Sequence, residues 1–107
     1  MAQEQTVIRQ KILQYYRSIK DIFPVKKVLL YGSYAKGQAT KDSDIDIAVV
    51  VDMENQNQRC DITAQLMYHT VPIDTSIEPR CIFWEEYLHP EPASILDEII
   101  RTGIEIV

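Results

Sequence analysis

Two short groups of residues in the first half of the chain have the types and spacing for chemistry on a phosphorylated substrate. Gly32-Ser33 follows an apolar run, and Asp44 and Asp46 come after a spacer of ten residues. A glycine at the end of a strand lets an anion approach the backbone, and the amides and hydroxyl that follow can donate to that anion. Two aspartates separated by one residue on a strand project to the same side, so together they can hold divalent metal ions.

A third carboxylate on a neighbouring strand would complete a site for two metal ions, which lie about 3.5–4 Å apart in such sites. Residues 70–77 alternate between apolar and polar side chains, so we predict a strand there with Asp74 on its polar face. Lys36 follows Ser33 closely and could add positive charge for a phosphate. The predicted catalytic and metal-binding residues are therefore Asp44, Asp46 and Asp74.

The elements that would position these residues alternate between strands and helices, which predicts an α/β fold with a small mixed β-sheet packed against helices. Apolar residues at helical spacing indicate helices, and short β-rich apolar runs indicate strands. We predict helices over 3–20, 55–68, 81–88 and 93–102, and strands over 25–31, 44–51, 70–77 and 104–107. A further short helix is predicted from Ser33 to Lys36, ended by Gly37. Residues 1–107 are expected to form a single domain.

The length and charge of the chain restrict what it can bind. With 107 residues it is too short to carry a separate domain for reading a complex substrate, and its net charge is −5. Binding to DNA or RNA requires clustered Lys and Arg, which the sequence lacks, so no nucleic-acid polymer is expected as a partner. No signal peptide and no membrane-spanning apolar run are evident, and we expect a cytoplasmic location.

The two cysteines, Cys60 and Cys81, have no spacing typical of a metal site. We expect them to be reduced thiols in or near the core.

The order of these motifs resembles the nucleotidyltransferase superfamily that includes DNA polymerase β. Its signature is Gly-Ser, about ten residues, Asp-x-Asp, and a third Asp on a later strand. Over nearly its whole length the chain resembles the minimal nucleotidyltransferases within that group, on the evidence of residues 32–37, 43–49, 71–74 and 95–103. The position of Tyr34 often holds an arginine in those relatives.

The resemblance implies a function. Minimal nucleotidyltransferases often pair with a small helical HEPN protein as a toxin–antitoxin system, and the resemblance implies transfer of AMP from ATP to a tyrosine hydroxyl of that ribonuclease toxin. Two Mg²⁺ ions would be held by Asp44, Asp46 and Asp74, while Gly32, Ser33 and Lys36 would bind the nucleotide. Assembly with the partner, or with other copies of the chain, is compatible with this function.

Two other functions remain open from the sequence. The chain could inhibit its partner by masking it, with the three aspartates retained as a relic. It could also modify a small molecule, in the manner of the aminoglycoside nucleotidyltransferases. Such an enzyme needs a further domain or a dimer to form the acceptor pocket.

Overall fold

The chain folds into a four-stranded mixed β-sheet with helices on both faces, in a computed structural model that describes residues 2–54 and 56–107. The elements in chain order are α1 (Ala2–Ile19), β1 (Val25–Tyr31), β2 (Ile45–Val51), a 3₁₀ turn (Gln56–Gln58), α2 (Arg59–Tyr68), β3 (Ile77–Phe83), α3 (Trp84–Leu88), α4 (Ile95–Thr102) and β4 (Ile104–Glu105). The mixed α/β architecture expected from the sequence is confirmed.

The strands lie in the order β3-β2-β1-β4. β1 is antiparallel to both β2 and β4, whereas β2 and β3 are parallel and are connected through α2. A parallel pair needs a long crossover, which the residues between β2 and β3 provide. As a result, the last residue of β1 and the first residues of β2 and β3 lie at the same end of the sheet.

Both faces of the sheet are covered, because side chains on a strand point alternately to its two sides. Ile45, Ile47 and Val49 of β2 belong to a larger core cluster that includes α1 and α2 residues. Ala48 and Val50 belong to a smaller cluster with Ile99 of α4. Asp46 shares this second face, so the acidic motif lies on the side of the sheet that carries α4.

The predicted third strand is wrong in position. Residues 70–73 and 75–76 form turns, and β3 begins only at Ile77. The carbonyl of Thr70 accepts hydrogen bonds from the amides of Ile73 and Asp74, which closes the chain into a turn. Pro72 lacks the N–H that a strand ladder would require. Asp74 therefore precedes β3 and does not lie on a strand.

Two predicted helices are confirmed with small changes at their ends. The helix predicted over 55–68 is a 3₁₀ turn followed by α2; its first residue, Asn55, lies outside the described residues. Ile62 and Leu66 are buried as expected, but Met67 is 53% exposed. In α4, Ser94 caps the helix by accepting a hydrogen bond from the Asp97 amide at 3.0 Å. Ile95, expected inside, is 62% exposed: it is the first residue of α4 and lies one turn before the buried Ile99 on the same face.

Cys81 is buried and Cys60 is exposed, and both are free thiols. The expectation that both thiols lie in or near the core therefore holds for Cys81 only.

A buried hydrogen bond joins the two helices on the larger core. The Tyr15 hydroxyl donates to the Leu66 carbonyl at 2.7 Å, and burial raises the pKa of Tyr15 above its ordinary value. No helix in the described part of the chain is long and apolar enough to cross a membrane.

Candidate active site

The backbone turn after β1 presents three successive amides to solvent. Residues 32–37 form turns and not the short helix predicted from the sequence. Gly32 and Gly37 have positive φ angles of 75° and 70°, which glycine adopts at no steric cost. Within residues 2–54 and 56–107, the amides of Ser33, Tyr34 and Ala35 donate no hydrogen bond to protein. Consecutive free amides after a left-handed residue form an anion-binding concavity.

Gly32 brings this turn into contact with the acidic motif. A Cβ atom at position 32 would lie only 2.4 Å from Oδ2 of Asp46. A side chain at this position would have to displace the Asp46 carboxylate, and the positive φ angle also favours glycine. The Gly32 turn and the Asp46 carboxylate are therefore adjacent.

Tyr31, Asp46 and Glu78 form a row across three strands on one face. Tyr31 of β1 pairs with Asp46 of β2, and Asp46 pairs with Glu78 of β3. Asp44 and Glu78 are exposed, and Asp46 is half-buried. The carboxylate that stands beside Asp46 on the neighbouring strand is thus Glu78.

Asp74 is engaged elsewhere. Its carboxylate accepts a hydrogen bond from the Lys11 ammonium of α1 at 2.7 Å, and from the amide and hydroxyl of Ser76 at 2.8 and 2.5 Å. The hydrogen bond from Lys11, followed by those from Ser76, lowers the pKa of Asp74 to about 2. Asp74 thus joins α1 to the turn before β3, and the structure does not bring it into the row of Asp46 and Glu78.

The carboxylates of Asp44, Asp46 and Glu78 interact electrostatically. Burial and then the charge of Asp44 raise the pKa of Asp46, while Arg80 lowers it. Burial, the charges of Asp44 and Asp46, and a hydrogen bond with Asp44 raise the pKa of Glu78. Clustered carboxylates that repel each other are stabilised by a cation, and carboxylate oxygen is the donor type that Mg²⁺ prefers.

In the described residues, no three carboxylate, histidine or cysteine side chains are already gathered around one metal position. A shared ion would have to bring the side chains of Asp44, Asp46 and Glu78 closer together than they are. The donor set fits a magnesium site, since all its side-chain donors are oxygen and two of them lie on adjacent strands.

Arg80 is a second functional candidate, which the sequence analysis does not single out. Its Nε donates to the Tyr31 hydroxyl at 3.2 Å, so its side chain crosses β2 near Asp46. The buried Ala48, which pairs with Arg80, leaves space for this crossing. The signal available in the sequence was the continued alternation of residues 77–83, with Glu78 and Arg80 on the polar side.

Lys36 points toward α4. Its ammonium lies 3.6 Å from a carboxylate oxygen of Glu98, and both side chains are at least half exposed. An exposed pair of this kind is worth less than about 1 kcal/mol, so Lys36 is free to leave Glu98 for a phosphate.

The model of the family described as Polymerase beta, Nucleotidyltransferase matches residues 10–107. The chain belongs to the polymerase beta nucleotidyltransferase family. Its site has the order expected of that family, since a Gly-Ser turn adjoins carboxylates on the next strand.

Relatives of this nucleotidyltransferase occur in Methanocaldococcus jannaschii, where they are named as candidate protein adenylyltransferases. One is 42% identical over 48 residues, covering 45% of this chain and 48% of the relative. A second is 37% identical over 59 residues, covering 55% of this chain and 59% of the relative. A third is 26% identical over 98 residues, covering 89% of this chain and 94% of the relative. The chain thus spans about half of the length of the first two.

Two solved structures share the fold. One is described as a toxin–antitoxin with AMP-PNP; it has a TM-score of 0.53 and 22% identity, over 92% of this chain and 72% of that one. The other is a mutant of the toxin–antitoxin MntA-HpeT, with a TM-score of 0.51, 22% identity and the same coverage. At this identity the likeness establishes the fold alone, and it agrees with the polymerase β-like architecture of the sheet.

Proposed function

We propose that this chain transfers AMP from ATP to a hydroxyl group of a partner protein, in a reaction that requires Mg²⁺. The observation that carries the proposal is the contact between the Gly32 turn and Asp46, with Asp44 and Glu78 beside it. This arrangement places an anion-binding turn next to three carboxylates, as two-metal transfer of a phosphoryl group requires.

Asp44 and Asp46 would hold both ions, and Glu78 would take the place that the sequence prediction gave to Asp74. Bound Mg²⁺ supplies charge neutralisation for the triphosphate and lowers the pKa of the acceptor hydroxyl. The free amides after Gly32, together with the Ser33 hydroxyl, would bind the β- and γ-phosphates.

Glu78 is the group best placed to accept the proton of the attacking hydroxyl. Its side chain is exposed and stands beside Asp46 on the neighbouring strand, so its carboxylate can reach a hydroxyl that approaches the proposed metal site. Asp74 is unsuited to this task, because its lowered pKa makes it a weak base and Lys11 occupies its Oδ2 atom.

The proposed acceptor is a tyrosine of a HEPN-type toxin, and the chain would act as the antitoxin. The names of the Methanocaldococcus jannaschii relatives support a protein acceptor. The descriptions of the structural neighbours support a toxin partner and an adenine nucleotide. A net charge of −5 suits a small anionic substrate that brings its own metal ions better than it suits a nucleic-acid polymer.

The test is incubation of the chain with ATP labelled at the α-phosphate, Mg²⁺ and the protein encoded beside it. We expect label on a tyrosine of that protein, no label in EDTA, and recovery with added Mg²⁺. The Asp46→Asn variant is the matched control. Equal labelling by wild type and Asp46→Asn would refute the proposal. Full neutralisation of the partner in cells by an Asp44→Ala/Asp46→Ala variant would favour masking instead.

A further inference from the structure

A cleft of about 330 Å³ opens beside Glu78, at the outer edge of the sheet. Its lining includes Tyr31, Glu78 and Arg80 from the face that carries the carboxylates, and Arg59 and Thr63 from α2. β3 is the first strand in the order of the sheet, so the cleft lies at its free edge. Its volume is at the lower end of the range for small-ligand pockets, about 300–1,000 Å³, which suits a single side chain.

The order of the strands relates this cleft to the direction of the proposed reaction. The Gly32 turn, which would hold the leaving pyrophosphate, follows β1; Asp46 belongs to the neighbouring β2, and Asp44 comes just before that strand. In phosphoryl transfer the attacking and leaving oxygens lie roughly in line on opposite sides of the phosphorus. A hydroxyl that enters from the side of β3, through the cleft, would approach the α-phosphorus from the side away from the Gly32 turn.

We propose that this cleft is the acceptor subsite and that it takes a tyrosine side chain followed by an acidic residue. The inference rests on the proposed transfer of AMP and adds the acceptor's chemistry to it. In the reaction, the phenolic oxygen forms a bond to the α-phosphorus while its proton passes to Glu78. The bond from that phosphorus to the bridging oxygen breaks, and its electron pair leaves with pyrophosphate.

Arg80 gives the subsite its charge preference. Its guanidinium forms no salt bridge within the described ranges 2–54 and 56–107, and its only hydrogen bond is to the Tyr31 hydroxyl. An arginine held in this way can pair with a carboxylate of the acceptor in bidentate geometry.

Arg59 has a different role, because its partners are already inside the chain. It donates to the Cys81 carbonyl and to Glu86, each at 2.7 Å, and it lies over the ring of Phe83. These contacts hold Arg59 in place as the far boundary of the cleft. Selection of the acceptor's charge therefore depends on Arg80.

Two peptides test the proposal: Ac-Ala-Tyr-Glu-Ala-NH₂ and Ac-Ala-Tyr-Lys-Ala-NH₂, with ATP labelled at the α-phosphate and Mg²⁺. We expect wild type to prefer the glutamate peptide at least about tenfold in kcat/KM, which is about 1.4 kcal/mol. Arg80→Glu should reverse that preference. Thr63→Trp, which fills the cleft from α2, should raise the KM of both peptides.

Arg101→Glu is the matched control, since in the described part of the chain Arg101 forms an ion pair with Asp97 on its own helix and does not line the cleft. It should keep the wild-type preference, and thermal melts establish that each variant is folded. Equal kcat/KM for the two peptides in wild type, or unchanged values in both Arg80→Glu and Thr63→Trp, would overturn the acceptor subsite.

One further outcome separates this inference from the proposed function. Suppose wild type labels neither peptide but still converts ATP to AMP and pyrophosphate in an Asp46-dependent manner. The acceptor subsite is then overturned and the transfer chemistry stands. If ATP is not turned over and the encoded neighbour is not labelled, the proposed function itself fails, and the inference fails with it.

Discussion

Replacing Asp74 with asparagine and Glu78 with glutamine should separate folding from catalysis in this protein. Both changes remove one negative charge and keep the size of the side chain. Asp74 is bound to Lys11 and Ser76, whereas Glu78 lies in the row with Asp46. We expect Asp74→Asn to lower stability with little effect on AMP transfer, and Glu78→Gln to do the reverse.

The loss of stability expected for Asp74→Asn follows from the pKa of Asp74, which falls from 3.8 to about 2 in the folded protein. That difference corresponds to at most about 2.4 kcal/mol of stability, at 1.36 kcal/mol for each pKa unit. The side chains of Asp74 and Lys11 are 21% and 39% exposed, so solvent screens the pair. We therefore expect a loss of about 1 kcal/mol, or a melting temperature lower by about 4–8 °C.

The loss of activity expected for Glu78→Gln follows from the proposed role of Glu78 as the general base. Loss of a general base lowers a rate by about 10²–10⁴-fold. Stability should be unchanged or slightly higher in the absence of metal, because Glu78→Gln removes a charge that Asp44 and Asp46 repel.

The assays are thermal or urea unfolding followed by circular dichroism, and AMP transfer at a temperature where every variant is folded. Asp46→Asn provides the reference for complete loss of transfer. The reasoning is refuted if Asp74→Asn loses transfer as completely as Asp46→Asn while remaining folded, and Glu78→Gln keeps it.

Three further outcomes are expected. Gly32→Ala should destabilise the chain by more than about 1–2 kcal/mol and lower AMP transfer at least tenfold, because its Cβ would meet a carboxylate oxygen 2.4 Å away. Gly37 also has a positive φ angle, of 70°, but has open space around it. Gly37→Ala should therefore cost only about 1–2 kcal/mol and keep AMP transfer. Unfolding titrations in urea and transfer assays measure both, and equal effects would contradict the steric argument. Tyr15→Phe should lower the free energy of unfolding in urea by about 1–3 kcal/mol, since it leaves the buried carbonyl of Leu66 without its hydrogen-bond donor. A loss below about 0.5 kcal/mol would contradict a buried hydrogen bond at this position. Because the pKa of Asp74 is depressed in the folded chain, the stabilising contribution of Asp74 is present above about pH 4 and is lost as the pH falls toward 2. Between pH 5 and 2, the melting temperature should therefore fall more steeply for wild type than for Asp74→Asn. Parallel curves would show that the ion pair contributes nothing.

The position of the Gly32 turn and of Asp44 and Asp46 could be predicted from the sequence because the interactions that set it are local. An apolar run ends at Gly32, and a second run begins after the two aspartates, so both motifs lie at strand ends. Pairing of these two strands as antiparallel neighbours then brings the motifs together.

The third carboxylate could not be assigned in this way, because residues 70–83 carry two overlapping alternating patterns. The first, over 70–77, places Asp74 on a polar face, and the second, over 77–83, places Glu78 and Arg80 there. Pro79 argued against the second pattern, yet proline is tolerated at an edge strand, and β3 is at the edge.

The sequence by itself was enough to predict the fold class and to place the Gly32 turn and the proposed metal-binding pair at strand ends, since each depends on neighbouring residues and on side-chain periodicity. Only the tertiary structure favours Glu78 over Asp74 as the third carboxylate of the proposed site, because that choice depends on which strand register places a carboxylate beside Asp46. Asp74 instead pairs with Lys11 of α1, which lies 63 residues away in the chain. A partner so distant in sequence leaves no local pattern, and only packing of α1 against the turn before β3 brings the two charges together.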